Sequence, residues 1–466
     1  MPHHNVRRFC RQADAMRRQW AGTSSLPFAD LLSADFVQEV VQALGVCFRD
    51  RVFNPVITLW VFLGQIIDAD HSCRQAVARL LAWLVGQDQP ACSARTGSYC
   101  QARKRLPESV LACLTWKTGL DLEARSPADW RWHGRRVRLA DGSTVSGPDT
   151  PKNQKAFPQS RSQKPGLGFP IARLLVIFSL SVGTVLEAAL NPYKGKQTGE
   201  TAMLRGLLGS LKHGDVLLGD RYFANYWLIA LAQQHGVDVV FRQHQHRKVD
   251  FRCGRRLSRD DHVITWSKPK RPSWMDAATY ASLPDTLTLR ELRLRIPKGT
   301  GRTREIAVVT TLLDAGCYAK GELQALYRRR WEAELNLRAL KETLQMDILR
   351  CKTPEMMRKE VWGHLLVYNL IRTAIAKAAQ AHDLLPWQIS FKGALQTLNA
   401  FGGILSLAAP LNVAAWYAAF LEAVASHRVG NRPDRCEPRA KKRRPKPYPL
   451  LREPRQKARA RLQGRR

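Results

Sequence analysis

Two stretches of this chain decide its fold: Val137-Arg-Leu-Ala-Asp-Gly-Ser-Thr144 and Ala172-Arg-Leu-Leu-Val-Ile-Phe-Ser-Leu-Ser-Val182. Both are rich in β-branched and large apolar residues over a length typical of strands, so each predicts a strand. A third strand is predicted over Val185–Asn191, because Gly183-Thr184 supplies a hairpin turn signal in front of it. This part of the chain therefore predicts three consecutive strands.

The segment that follows alternates between helix and strand patterns. A helix is predicted from about Glu200 to Leu211 and another over Asn225–His235, while Asp215–Gly219 and Val237–Arg242 predict strands. Three strands, a helix, a strand, a helix and a strand are the order of an RNase H-like α/β domain. In that fold the first and fourth strands lie side by side at the centre of the sheet.

Two aspartates occupy comparable places on these two strands. Asp141 lies in the first strand, and Asp220 follows directly after the fourth. Taken alone, Asp141 has the alternative of a turn aspartate and Asp220 that of a loop or cap residue. Because neighbouring strands bring them together in space, we expect the two carboxylates to share one acidic site.

The rest of the chain divides by composition and periodicity. Residues 1–125 show helical spacing and predict an N-terminal helical DNA-binding domain, with a solvated basic helix face as the alternative. Residues 126–242 and 317–427 predict the catalytic core in two parts, the second of them helical. Residues 243–316 predict an inserted, mostly β subdomain. Residues 428–466 hold 16 Lys and Arg against 3 Asp and Glu, which predicts a basic tail that is extended and disordered until bound.

Charge and cysteine content narrow the class of protein. The formal net charge of +35 on a composition that is 45% hydrophobic predicts a folded protein with a polyanionic partner. The longest apolar stretch, Leu174–Leu190, is broken by polar residues, and Met1–Arg18 lacks the apolar core of a signal peptide. We therefore expect no membrane span and a location in the bacterial cytoplasm, with the nucleoid. No two of the ten cysteines lie at CxxC spacing, which favours free buried thiols.

The segment Tyr327-Arg-Arg-Arg-Trp-Glu-Ala-Glu-Leu-Asn-Leu-Arg-Ala-Leu-Lys341 predicts part of a long helix from about Lys320 to Leu344. At about 100° per residue, four polar residues share an arc of roughly 60°: Tyr327, Arg330, Glu334 and Lys341. This arc borders an apolar stripe of the same helix, made of Leu326, Ala333, Leu337, Leu340 and Leu344. Glu334 is therefore expected at the edge of the core, and Glu332, roughly 160° away, is expected to face solvent. The alternative for Glu334 is a surface ion-pair network with Arg330 and Arg338.

The spacing of these four residues resembles the Y-(2)-R-(3)-E-(6)-K signature of the insertion-sequence-4 family of DDE transposases. Asp141-Gly142-Ser143 and Asp220-Arg221 look like the two aspartate motifs of that family, and the resemblance covers most of the chain. It implies an α/β fold with an RNase H-like catalytic core, and catalytic residues Asp141, Asp220 and Glu334. It also implies a DNA transposase that cuts at the inverted-repeat ends of its element and transfers the strands into target DNA.

Phosphodiester cleavage gives an independent reason for these residue types. Two divalent ions about 3.5 to 4 Å apart serve both ends of an in-line displacement at phosphorus, and three carboxylates can hold two such hard cations. We therefore expect Asp141, Asp220 and Glu334 to be ligands of two Mg²⁺ ions, with Mn²⁺ as a substitute.

Several basic residues are candidates for DNA contacts. Arg330 and Lys341 suit phosphate groups and Tyr327 can add a hydroxyl contact. A loop after the first acidic strand carries further cations that could contact the backbone or be merely solvated: Lys152, Lys155, Arg161 and Lys164. Because two ends must be cut and joined together, we expect a homodimer on terminal inverted repeats and target DNA.

One departure from the resemblance concerns a hairpin intermediate. Hairpin-forming relatives use an aromatic residue in the strand before the signature helix, whereas Ile306–Leu313 contains none. Trp266 and Trp274 could supply stacking from the insertion, or could be packing residues. Two other functions stay open: a structure-specific endonuclease on the same fold, and a catalytically silent DNA-binding derivative.

Overall fold

The computed structural model describes residues 32–46, 48, 52–86, 88–297, 303–405, 413–430 and 450–463. The N-terminal stretch Met1–Arg18 and most of the basic tail lie outside the described residues. Within them the strands are β1 (Val137–Ser146), β2 (Ile171–Ser179), β3 (Val185–Pro192), β4 (Val216–Gly219), β5 (Asp238–Arg242), β6 (Arg255–Ser258), β7 (Asp261–Ser267), β8 (Thr286–Pro297) and β9 (Thr303–Thr310).

The helices of the described residues fall into three groups along the chain. Those before β1 are α1 (Ala34–Ala43), α2 (Pro55–Ile67), α3 (Cys73–Gly86), α4 (Gly97–Arg105) and α5 (Glu108–Arg125). Those between strands are α6 (Pro151–Ala156), α7 (Glu200–Leu207), α8 (Tyr226–Gln234) and α9 (Ala277–Ser282). Those after β9 are α10 (Lys320–Arg329), α11 (Trp331–Arg338), α12 (Pro354–Ala381), α13 (Phe391–Leu405), α14 (Val413–Ser426) and α15 (Arg455–Gln463).

The strands form one mixed sheet in the order β3-β2-β1-β4-β5-β9-β8-β7-β6. The predicted order of elements through residue 242 is confirmed, and β1 lies between β2 and β4. In the described part of 243–316, the strands β6–β9 extend the central sheet, and the bounds of the inserted, mostly β subdomain stay a prediction. The junction is the antiparallel pair β5 and β9, in register at Phe241 and Val309.

Alternate residues of the central strands face two different layers of helices. Leu139 of β1 and Leu218 of β4 lie in a core cluster with residues of α2, α5, α11 and α12, whereas Ala140 and Leu217 lie in a cluster with α7 and α8. Strands buried on both faces explain the continuous apolar runs in the sequence. Asp141 and Asp220, two residues after Leu139 and Leu218, fall on the α11 side.

The N-terminal helices follow their sequence signals. The Asn54 side chain accepts a hydrogen bond from the Ile57 N–H at 2.9 Å in front of Pro55, as the cap at the start of α2. Arg103 of the basic segment around α4 is directed inward, because it donates to Gln65 at 2.9 Å and lies over the Phe62 ring. That arginine connects helices, while neighbouring Lys104 is exposed.

Three local details of the helices differ from the expected structure. The long predicted helix is divided into α10 and α11 at Arg330 and ends in a π-helical turn over Ala339–Thr343. The predicted loop after β1 begins with the short helix α6, whose Thr150 cap and Pro151 form a good helix start. The described end of the basic tail contains α15, where Arg461 pairs with Glu453 at 3.0 Å.

Among the described residues, no helix is long and apolar enough to cross a membrane. The seven described cysteines are free, as expected, but their burial varies. Cys351 is buried, whereas Cys253 and Cys317 are exposed.

Candidate active site

Asp141, in the middle of β1, lies beside Asp220, which directly follows the end of the parallel strand β4. The β1–β4 ladder pairs Leu139 with Leu218, and continuing it by two residues brings Asp141 alongside Asp220. The Asp141 carboxylate accepts the N–H of Gly142 at 2.9 Å, and the Asp220 carboxylate accepts the N–H of Tyr222 at 2.8 Å. The strand register thus brings together the two aspartates singled out in the sequence.

Helix α11 carries Glu334 to the same place. Asp141, Asp220 and Glu334 line one open cleft of about 770 Å³. The other side chains of the predicted polar arc line it too: Tyr327, Arg330 and Lys341. All six residues selected from the strand ends and the helix therefore share one cleft.

The charge of Asp141 is poorly accommodated in this cleft. Burial, with repulsion from Asp220 and Glu334, raises the pKa of Asp141 to about 6, although Arg330 and the Gly142 N–H oppose the shift. At neutral pH a carboxyl group with this pKa is mostly ionised, and its ionised form is less stable than that of a carboxyl group in water. Burial is therefore the chief cost to the charge of Asp141, and Arg330 does not offset it.

Arg330 connects the acidic and basic sides of the cleft. Its guanidinium donates to the Glu334 carboxylate at 2.7 Å, and 38% of the Glu334 side chain is exposed. Burial opposes the charge of Arg330, but Glu334, Tyr327 and Asp141 outweigh it and raise the pKa of the guanidinium. The Tyr327 hydroxyl stays protonated, because burial raises the pKa of Tyr327 to about 12.

The expectation that Glu332 faces solvent is wrong. Only 21% of its side chain is exposed, less than for Glu334, and it accepts from Arg329 at 2.7 Å. It lines a second cavity of about 270 Å³ on the other side of α11, beside Leu180 and Arg372. Residues in and shortly after α12 cover the face of α11 that the helical projection assigned to solvent.

The basic loop residues lie outside the residues that line the cleft. Lys152 and Lys155 are on the exposed side of α6, and Lys164 is exposed in the turn that follows. Contact of these lysines with the DNA backbone beside the site stays a prediction.

The cleft also contains four residues to which the sequence analysis gave no role in the site, although it named Arg221 in a motif and Arg338 as an ion-pair partner. Arg221 and Tyr222 directly follow Asp220, Arg242 ends β5, and Arg338 lies one helical turn after Glu334. The Tyr222 side chain is 55% exposed, and Arg221 lies over its ring at 5.2 Å. Adjacency to Asp220 was the available signal for the first two.

The two tryptophans of the insertion are packing residues. Trp266 is 3% exposed and Arg247 lies over its ring at 3.7 Å, while Arg205 lies over the half-buried Trp274 at 3.6 Å. This agrees with the packing alternative for both.

The cleft suits a hard divalent cation by its donor chemistry. The three proposed ligands line it together with two further carboxylates, those of Glu342 and Asp347, and a bound cation would favour the charged form of Asp141, whose pKa burial raises. In the described part of the chain, no three His, Cys, Asp or Glu side chains stand close enough together to hold a metal as they are placed. Glu334 is engaged by Arg330 in this arrangement.

Comparison with known proteins identifies the family. Residues 132–370, just over half of the chain, match the family model for the transposase DDE domain. The chain belongs to the DDE transposase family. It is 26% identical over 432 residues to the transposase InsG for insertion sequence element IS4 of Escherichia coli K12, covering 90% of this chain and 92% of InsG. The putative transposase InsZ of the same strain is 26% identical over 137 residues, 29% of this chain and 45% of InsZ.

A solved structure of the piggyBac transposase synaptic complex with hairpin DNA is similar only in outline, with a TM-score of 0.40 and 11% identity over 83% of this chain and 78% of that one.

The predicted family and enzyme class are confirmed by the family match: this DDE transposase is a DNA-transposing enzyme. DDE transposases generally use divalent metal ions.

Proposed function

We propose that this DDE transposase moves its insertion sequence by cut-and-paste transposition. It cleaves at the inverted-repeat ends and transfers the released ends into target DNA. The proposal rests on one observation: Asp141, Asp220 and Glu334 line a single cleft together with Arg330 and Lys341. The core formed by β1–β5 with α7, α8 and α11 is proposed to be RNase H-like, with residues 1–125 as the end-recognition domain.

The carboxylates are proposed to hold two Mg²⁺ ions, for which Mn²⁺ can substitute. When bound, such ions activate a water or hydroxyl nucleophile and stabilise the leaving oxygen of an in-line displacement. Asp141 is held in the sheet by its pairing with Val176 and Asp220 directly follows β4, whereas Glu334 is tied to Arg330. A DNA phosphate that binds Arg330 would leave the Glu334 carboxylate available as a ligand.

The basic side of the cleft is proposed to hold the DNA backbone. Arg330 can bind a phosphate with its planar guanidinium, and Lys341 supplies a point charge next to it. Tyr327 keeps its proton at neutral pH and can therefore donate a hydrogen bond to a phosphate oxygen. These residues orient the scissile phosphate between the carboxylates and the basic arc.

Other regions are proposed to serve the long DNA substrate. Lys152, Lys155 and Lys164 are exposed cations that can bind backbone phosphates outside the cleft. The basic tail adds sequence-independent affinity by counterion release. Cutting and joining two ends requires two active sites, so we propose a homodimer in a synaptic complex, at the nucleoid in the cytoplasm.

The experiment is cleavage of a duplex that carries the end of the flanking element, with full-length protein and Mg²⁺. Glu334→Gln is compared with Glu332→Gln, a matched change two residues away on the other side of α11. We expect cleavage by wild type and by Glu332→Gln, and its loss in Glu334→Gln with DNA binding retained.

Different results point to different functions. Persistent cleavage by Glu334→Gln would remove Glu334 from the proposed ligands. Binding without cleavage by wild type would favour the silent DNA-binding derivative. Cleavage of branched duplexes without joining to target DNA would favour the structure-specific endonuclease.

A further inference from the structure

The first turn of α7 contacts the backbone next to both proposed ligand aspartates. Glu200 packs against Gly142, the residue after Asp141, and Thr201 binds the segment after Asp220. These contacts come from two adjacent residues of one helix, and they reach β1 and the turn that follows β4. Sequence reasoning gave neither residue a role.

Glu200 fills the space that a side chain at residue 142 would take. A Cβ atom placed on Gly142 would lie 2.3 Å from the carboxyl carbon of Glu200, so the glycine admits this carboxylate against β1. The guanidinium of Arg173 on β2 lies 3.8 Å from the same carboxylate and forms an ion pair with it. Burial raises the pKa of Glu200 and repulsion from Asp220 adds to the rise, while Arg173 opposes it, which agrees with a location near Asp220.

Thr201 fixes the turn that holds Asp220. Its hydroxyl donates to the Tyr222 carbonyl at 3.1 Å, and the Tyr222 N–H donates to the Asp220 carboxylate at 2.8 Å. A single residue, Tyr222, therefore connects the helix to the carboxylate through its two backbone groups.

The strand pairing does not by itself hold Asp220 in place. The β1–β4 ladder ends at the pair Leu139 and Leu218, and β4 ends at Gly219. Asp141 is still paired with Val176 of β2, so its backbone is fixed, whereas Asp220 lies past the end of its strand. Some other contact must set the distance between the two carboxylates.

We propose that Glu200 and Thr201 are positioning residues, which fix Asp141 and Asp220 at the separation that the divalent ions require. This proposal rests on the proposed function of the cleft, because it assigns a task to residues around the same carboxylates. Glu200 supports the β1 side through Gly142, and Thr201 supports the β4 side through Tyr222. Groups that orient metal ligands typically change metal affinity or activity by about 10- to 100-fold when removed.

Thr201→Val tests the β4 side, since it keeps the shape of the side chain and removes the hydroxyl donor. Thr198→Val is a matched control: the Thr198 hydroxyl donates to the Gly195 carbonyl at 3.1 Å in the preceding loop. Thr201→Ser keeps the donor and is the rescue variant. Binding of Mn²⁺ to each full-length protein is followed by electron paramagnetic resonance, and cleavage is titrated with Mn²⁺.

We expect Thr201→Val to need about tenfold more Mn²⁺ for half-saturation in both measurements. Thr201→Ser and Thr198→Val should behave as wild type, and all variants should unfold at the same temperature in EDTA. An unchanged Mn²⁺ titration in Thr201→Val would overturn the role of Thr201, and so would an equal shift in Thr198→Val.

Gly142→Ala and Glu200→Gln test the β1 side. The added methyl group displaces the Glu200 carboxylate without replacing it, and Gln keeps the length while removing the charge. Both should weaken Mn²⁺ binding, and wild-type binding in both would overturn the role of Glu200. If wild-type protein binds Mn²⁺ but does not cleave DNA, the proposed function is contradicted. The effect of each substitution on Mn²⁺ binding then still tests the positioning role. No Mn²⁺ binding by wild type would overturn both proposals.

Discussion

A charged cluster lies at each end of the segment over which β1 and β4 are paired, and the two clusters differ in how their charges are balanced. At the start of the strands, the buried Arg138 guanidinium donates to both oxygens of Glu123 at 2.7 and 2.8 Å and to Asp215 at 3.0 Å. Arg136 reaches Asp215 from outside at 2.8 Å. Every buried acid of this cluster therefore has a cation.

At the other end of the same strands the balance is incomplete. Asp141 and Asp220 accept hydrogen bonds from backbone N–H groups, and the nearby Arg330 is bonded to Glu334. The pKa of Asp141 rises to about 6 chiefly through burial, in spite of Arg330. The first cluster, whose buried acids pair with arginines, connects α5 to the sheet, and we call it balanced. We call the second cluster unbalanced, because burial destabilises the charge of Asp141 in spite of Arg330.

The largest expected effect comes from breaking the balanced cluster. Arg138→Met leaves Glu123 and Asp215 buried without their main cation, and we expect the free energy of unfolding to fall by about 3–5 kcal/mol. Urea unfolding in EDTA measures the change. Adding Glu123→Gln and Asp215→Asn to that variant should recover most of the loss. If Arg138→Met alone costs less than the same change at the exposed Arg125, the cluster is not structural.

The opposite sign is expected in the unbalanced cluster. Asp141→Asn removes a charge held at a cost, so it should raise the free energy of unfolding at pH 8 in EDTA by up to about 3 kcal/mol, less where water in the cleft screens the charge. Cleavage should be lost at the same time, because a proposed metal ligand is gone. A decrease in stability at pH 8 would show that Asp141 is compensated after all.

The contrast between the clusters was partly visible in the sequence. The apolar runs of β1 and β4 predicted strands, and the RNase H-like order of the elements predicted that these strands are neighbours, which brought Asp141 and Asp220 together. Helical periodicity likewise brought Glu334 to the right cleft. Arg138, the second residue of β1, gave no sign of its partners, because Glu123 lies on a helix whose packing is set by tertiary structure.

Other features depend on contacts between distant parts of the chain. The pairing of β5 with β9 joins the insertion to the central sheet, and no local pattern around Phe241 encodes that register. Glu332 was misplaced because an angular projection describes one helix and contains no information about neighbours such as α12. The role of Gly142 depends on Glu200, a residue from a separate element.

The pH dependence of stability sharpens the same contrast. The raised pKa means that folded protein binds a proton at Asp141 between about pH 4 and pH 6, where the unfolded chain has released it. Stability from this residue is therefore full below about pH 4 and is lost as the pH rises through about 6, with a slope of at most about 1.4 kcal/mol per pH unit.

Urea unfolding of wild type and Asp141→Asn across this range isolates that contribution. The two proteins should be equally stable near pH 4, and the variant should become relatively more stable as the pH rises. A difference that does not vary with pH would assign the effect of the substitution to packing and not to charge.

The smallest expected effect comes from supplying the cation itself. A ligand that binds the folded protein stabilises it by RT ln(1 + [L]/Kd), which is about 1.4 kcal/mol at a concentration ten times the dissociation constant. Mg²⁺ should therefore raise the free energy of unfolding of wild type and of Glu332→Gln, relative to NaCl at equal ionic strength. Asp141→Asn should respond much less, since the charge that attracts the cation is already removed. Equal stabilisation of wild type and Asp141→Asn would mean that Mg²⁺ binds elsewhere. The unbalanced cluster would then not be a cation site, and the proposed functional difference between the two clusters would be wrong.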